Sequence, residues 1–187
     1  MFRKFGMAAV AAGCLIASTP VSATPILTGT WYEFLFGGVG SALSACTSCT
    51  PGTNPDSTYA PDPSWTFTLS GPAELVVTDA FLSVDQFELF DFGSSLGATS
   101  APTPGGACGS DITACLADPN YSHGSYLLGA GDHSISGTAL VSGSGSGAAF
   151  FIVRAVPEPG TWMTMLFGFA AVGLGLRRSR KAIAQLA

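Results

Sequence analysis

From Trp162 to Leu176 the chain carries no charge, and the next five residues, Arg177-Arg178-Ser179-Arg180-Lys181, hold four cations. An uncharged run of this length, counted from Gly160, sits at the short end of what crosses a hydrocarbon core of about 30 Å. Four cations at its end are hard to place in a soluble core but suit a membrane stop. By the positive-inside rule, Arg177, Arg178, Arg180 and Lys181 hold that end in the cytoplasm, and Trp162 stands where an interfacial aromatic belongs. Ahead of the run lies Pro157-Glu158-Pro159. Proline fixes φ and supplies no N–H, and the residue before a proline is pushed away from helix. The tripeptide is therefore extended and unpaired, as a peptide must be to lie in an enzyme's cleft.

The other end of the chain carries a second address. Arg3 and Lys4 precede an apolar stretch, Phe5–Ala17, that is too short to span. Val21-Ser22-Ala23 then offers small residues at the −3 and −1 positions of a signal-peptidase site, which predicts a signal peptide over 1–23 cleaved after Ala23. Between the two addresses, Thr24–Ala155 faces the periplasm or the exterior. At about 130 residues it is one small domain rather than two.

The tail resembles the PEP-CTERM sorting signal of Gram-negative bacteria: a Pro-Glu-Pro motif, a short transmembrane helix and a terminal Arg-rich cluster, in that order. The resemblance divides residues 156–187 into the motif at 157–159, a helix at 160–176 and a basic cluster at 177–181. It implies processing by a membrane transpeptidase of the exosortase type, with Pro157, Glu158 and Pro159 as recognition residues. It also implies a membrane-tethered precursor, a cell-surface or extracellular product, and a role tied to exopolysaccharide and biofilm matrix. The same tail is labelled an ice-binding protein C-terminal domain, a label that carries no ice-binding chemistry here.

The exported segment is acidic. Its one cation is Arg154, against Glu33, Asp56, Asp62, Glu74, Asp79, Asp85, Glu88, Asp91, Asp111, Asp118 and Asp132. Phosphate binding needs cations, so this composition excludes nucleic acid as a partner. It also favours divalent cations near the surface. Four cysteines remain beyond the signal peptide, as Cys46-x-x-Cys49 and Cys108-x6-Cys115. An even count in an exported chain reads as disulfides, and of the three pairings the local one within each loop is favoured. A redox CxxC and a four-Cys zinc site are the competing readings. The first fits poorly with a Ser/Thr/Pro-rich surrounding, the second with the spacing of the latter pair.

Between Gly29 and Arg154 the pattern is that of short strands and Gly/Pro turns. Strands are predicted at 29–36, 64–70, 73–80, 86–91, 126–128, 134–142 and 148–154. A long loop over 41–63, a second over 93–109, a helical turn at 112–117 and a Ser-Gly tip at 142–147 join them. This is an all-β reading, an antiparallel jelly-roll-like β-sandwich. The stretch Trp65–Gly97 and the segment Asp132–Gly137 also resemble the ectodomain of many PEP-CTERM proteins, a group for which the resemblance implies no activity.

Candidate chemistry is sparse. Asp79, Asp85 and Asp91 recur every six residues, a pattern that suits a Ca²⁺ cage of loop carboxylates or, more simply, turn and strand-end caps. No other cofactor is expected. His133, beside Asp132, reads as a turn residue rather than a base, and His123 lacks supporting groups. Trp31 and Trp65 read as core, whereas Tyr59 and Tyr121 lie in loops as the exposed aromatics for a sugar contact. The expectation is a structural or adhesive surface protein that is not an enzyme. A Ca²⁺-dependent carbohydrate-binding module is the alternative, and a secreted hydrolase comes third.

Overall fold

The computed structural model describes residues 25–156, 160 and 163–172. The expected signal peptide with its Ala23 site, the Pro157-Glu158-Pro159 motif and the cations Arg177, Arg178, Arg180 and Lys181 lie outside those residues.

The described domain is all-β, with one short helix. Its elements are β1 (Trp31–Phe36), β2 (Ser57–Tyr59), β3 (Trp65–Leu69), β4 (Ala73–Asp79), β5 (Asp85–Asp91), β6 (Ser94–Ala98), α1 (Ile112–Ala117), β7 (His123–Leu128), β8 (Gly131–Ser142) and β9 (Gly147–Ala155). They form a five-stranded sheet of order β2-β1-β9-β4-β7 and a four-stranded sheet of order β3-β8-β5-β6. Every pairing is antiparallel except the short β1–β2 edge.

The two sheets meet through aromatic side chains selected by strand alternation. Tyr32, Phe34 and Phe36 of β1 and Phe151 of β9 share one buried cluster with Trp65, Phe87, Leu89 and Ile135 of the other sheet. The Trp65 and Phe151 rings stack at 4.0 Å between centroids, and Phe36 meets Phe87 edge-on at 4.9 Å. Trp65 satisfies its indole N–H on the Pro61 carbonyl at 2.8 Å, so the largest buried ring leaves no orphan donor.

The sheets differ in how they are covered. Along β3, β5 and β8 buried and open positions alternate, so the four-stranded sheet keeps one face toward solvent. β4 and β9 are buried almost continuously. Their outer face lies under α1 and the two long loops, where Trp31, Val76, Ile112, Cys115, Tyr121, Phe150 and Ile152 form a second cluster. Gly52 makes that cover close-fitting: a Cβ there would come within 2.7 Å of Ile112 and 2.8 Å of Phe150. Asp111 caps α1 by accepting the Ala114 N–H at 2.9 Å.

Two expected loops contain strands. Within 41–63, residues 57–59 form β2, and within 93–109, residues 94–98 form β6. The β5–β6 hairpin turns on Phe92 and Gly93, both at positive φ (46° and 78°), the signature of a type I′ turn. The expected helical turn at 112–117 is α1.

Beyond Val156, the described tail residues 163–172 are helical and exposed, and their apolar side chains take no part in either buried cluster. Among the described residues no helix is long and apolar enough to cross a membrane. The expected span 160–176 lies partly outside them.

Candidate functional site

The junction between domain and tail is built on β9, the middle strand of the five-stranded sheet. β9 pairs with β1 on one side and β4 on the other, through to Ala73↔Ala155. The Val156 N–H then donates to the Pro72 carbonyl at 3.0 Å, and the next residue is Pro157. Arg154 makes an ion pair with Glu74 at 2.6 Å, and the Ser125 hydroxyl donates to the same carboxylate. These charge-assisted bonds hold Glu74 below the usual carboxylate range. So the domain's one cation clasps the end of the last strand, and in sequence Pro157-Glu158-Pro159 follows directly after Val156.

The three aspartates of the calcium expectation do not converge. Asp79 and Asp85 are neighbours, both buried, and their oxygens are occupied by backbone amides. Asp79 accepts from Ala80 at 2.8 Å and from Asp85 at 3.3 Å, and Asp85 accepts from Gly143 at 3.1 Å. Burial pushes the Asp79 carboxyl up to about 8 and raises that of Asp85. These are the acids of a strand-end clasp rather than an open cage. Asp91 stands at the other end of β5, about 20 Å along the strand. It faces His133 instead, at 2.7 Å from the imidazole Nδ1. A Ca²⁺ ion needs six or more oxygens in one place, and this arrangement does not fit it.

His133 is not a turn residue. It lies within β8, nearly buried, stacked on Phe67 at 5.4 Å, with Nε2 against the Gly129 carbonyl at 3.0 Å. Asp91 also accepts the Ser134 N–H at 2.9 Å, so the pair ties β5 to β8. Both imidazole nitrogens face acceptors and neither faces a hydroxyl, which leaves nothing for a serine nucleophile to use.

The aromatic candidates separate. Trp31 and Trp65 are core. Tyr121, expected in an exposed loop, is fully buried: its hydroxyl accepts from the Cys108 N–H at 3.0 Å and donates to the Phe81 carbonyl at 2.9 Å. Tyr59 is exposed and borders an open cleft of about 520 Å³ with Leu27, Tyr32, Cys46 and Pro61.

Cys46 is bonded to Cys49 and Cys108 to Cys115. The second bridge ties the loop to α1, with Cys115 wholly buried in the outer cluster. The first lies in the other loop, where Cys46 is buried and Cys49 half-buried.

Beside it lies a residue that the sequence reading passed over. Glu33 of β1 is fully buried, with neither carboxylate oxygen hydrogen-bonded. It points to the outer face with its cross-strand partner Phe150. Burial pushes its carboxyl up to about 7. Glu33, Cys46 and Cys49 bring their functional atoms within 4.8 Å of one another, the one such trio of potential ligands among the described residues. The signal was available: an acid inside the aromatic run WYEFLF has no water to face on a strand buried on both sides.

Residues 155–181 match the family model described as the PEP-CTERM protein-sorting motif. The match begins at the last residue of β9. No curated protein and no solved structure matches the chain. The motif indicates an exported protein addressed to exosortase, made as a membrane-anchored precursor.

Proposed function

We propose that this chain, an exosortase-addressed exported protein, delivers a small acidic two-sheet domain to the cell surface or the extracellular matrix. There it serves a structural or adhesive role in exopolysaccharide or biofilm, without catalysis of its own. The observation that carries the reading is the junction: the sorting motif starts where β9 ends, so whatever enzyme handles Pro157-Glu158-Pro159 finds a finished domain immediately upstream. On this reading the uncharged residues 160–176 span the membrane of the precursor, Arg177, Arg178, Arg180 and Lys181 stop it, and a Gram-negative exosortase removes both. The strand orders favour a jelly-roll: β1-β9-β4-β7 faces β3-β8-β5-β6, and apart from the β5–β6 hairpin and the edge strand β2, successive strands pass from one sheet to the other.

Mass spectrometry of the native mature protein tests this. The expected product begins at Thr24 and has lost the chain beyond about Pro159. A mature form that keeps its basic cluster would instead make the tail a permanent single-pass anchor.

A glycan contact is the second reading, favoured by the Tyr59 cleft, since an exposed aromatic beside an open groove is what a sugar ring stacks on. Tyr59→Ala would then release the protein from isolated exopolysaccharide while leaving its thermal unfolding unchanged. Equal retention of both forms would remove the cleft from consideration. Because Asp91 lies apart from the amide-bound pair Asp79 and Asp85, this reading does not depend on Ca²⁺.

A further inference from the structure

We propose that Cys46–Cys49 is an exchangeable disulfide, opened by an incoming thiolate, and that Glu33 supplies the proton its leaving sulfur needs. This goes beyond sorting and tethering, and it assigns the first loop a covalent chemistry with a thiol-bearing partner.

The argument begins with the orphan acid. A buried polar group without a partner destabilises the fold, which an apolar side chain at that place would not. Such groups call for an explanation, and a redox role is one of the recognised ones. Both Glu33 oxygens are unpaired while Cys46 is in a disulfide, because a disulfide sulfur has no proton to give. Once the bond opens, the Cys46 sulfur becomes a thiol no more than 4.8 Å from the carboxylate, a gap that rotation of the freed side chain closes to a hydrogen bond. The site is thus left incomplete by oxidation and completed by reduction. Its burial keeps the carboxyl protonated up to about pH 7, so a proton is at hand in the pH range where thiols attack.

The two sulfurs are placed unequally. Cys49 is half-buried, flanked by exposed Ser48 and Thr50, and is the one an external thiolate meets. Cys46 is buried, lines the Tyr59 cleft and accepts the Cys49 N–H at 3.1 Å, a bond that favours negative charge on its sulfur. The loop is held on both sides of these atoms: Ala45 donates to Asp62 at 3.1 Å, and the Tyr59 hydroxyl donates to the Cys49 carbonyl at 3.1 Å.

The exchange balances as follows. A thiolate attacks Cys49 Sγ, forming a mixed disulfide and breaking the Cys46–Cys49 bond. The electron pair leaves on Cys46 Sγ, which takes the proton from Glu33 and leaves a carboxylate. With one thiol partner the product is a covalent adduct at Cys49. A second thiolate attacks the partner's sulfur in that adduct, releasing an oxidised thiol pair and the Cys49 thiolate, which takes a proton from water. Two thiols are then oxidised and one disulfide reduced, and Glu33 recovers its proton from solvent.

The test uses the mature protein, glutathione as the thiol, and a pH series from 5.5 to 8.5 chosen about the Glu33 value of about 7. Free thiols are trapped by alkylation at each time point, and mass spectrometry reads the two cysteine pairs separately. Rates are divided by the thiolate fraction of glutathione. Cys46–Cys49 is expected to open at least about tenfold faster than Cys108–Cys115, with a corrected rate that falls about tenfold per pH unit above the Glu33 value. Glu33→Gln should slow only that pair, on the order of 10²-fold at the acid end, and Glu33→Asp should restore part of the rate. Equal rates in Glu33→Gln and wild type, or a flat corrected profile in the wild type, overturn the proposal. Should Glu33→Gln unfold, both pairs open together, and the wild-type profile alone decides.

Discussion

The two disulfide loops lie over the same sheet and close similarly short stretches of chain, yet their surroundings are opposite. Around Cys108–Cys115 every neighbour is satisfied or apolar: Tyr121 bridges the Cys108 N–H and the Phe81 carbonyl, and Cys115 packs with Ile112 and Phe150. Around Cys46–Cys49 a buried acid stands without a partner. The same covalent bond is therefore a staple in one loop and a poised group in the other. What separates them is the polar accounting of the atoms nearby, not the bond.

The comparison breaks most visibly on removing each bridge. Replacing Cys108 and Cys115 together with alanine is expected to cost about 2–5 kcal/mol in chemical unfolding, because the bridge both closes its loop and sits in the outer cluster. Replacing Cys46 and Cys49 with serine should cost at the bottom of that range, about 2 kcal/mol, since so short a loop restricts the unfolded chain little. Equal losses would mean that the first loop is a staple too.

Tyr121→Phe probes the satisfied loop alone. It leaves the Cys108 N–H and the Phe81 carbonyl buried without partners, at about 1–3 kcal/mol by denaturant midpoint. A neutral result would show that water replaces the hydroxyl.

Glu33→Leu is expected to run the other way. It removes the orphan acid and stabilises the fold at neutral pH by about 1 kcal/mol, with the gain growing as pH rises. The folded protein holds a proton on Glu33 up to about 7 and on Asp79 up to about 8, where the unfolded chain has lost both near their ordinary values of 4.5 and 3.8. Their contribution is complete below about pH 4 and is lost as pH climbs to about 8. The wild type should therefore melt higher at pH 5 than at pH 8, and Glu33→Leu should flatten the part of that slope up to about pH 7. A melting temperature that rises with pH across this window would contradict both burial arguments.

Much of this architecture is legible in the sequence because alternation is a strong signal where one face is wet. Trp65, Phe67 and Leu69 against Thr66 and Thr68 mark β3 directly, and the helical turn expected at 112–117 is α1. β6 is hidden for a physical reason: Ser94-Ser95-Leu96-Gly97-Ala98 has no bulky side to alternate, and its turn places Phe92 in a backbone region usually left to Gly or Asn. The sorting tail is legible through its resemblance to a known signal, carried by Pro157-Glu158-Pro159, the uncharged run and the basic cluster in that order. The Asp79, Asp85 and Asp91 grouping misleads because regular spacing in sequence is cancelled by a strand, which carries Asp91 to the far end of β5. Glu33 is marked only by its place inside the aromatic run WYEFLF, whereas the Asp91–His133 pair depends on strands brought together across the fold, and no local pattern records that.

β9 pairs along six positions with β1 and seven with β4 before the chain runs into Pro157. A force transmitted through the C-terminal attachment would thus load an interior strand lengthwise, against two ladders at once. Such a strand shears as a whole, whereas an edge strand unzips one bond at a time. In a precursor held by the tail that follows Val156, the point of suspension is therefore the part of the sheet most resistant to tearing.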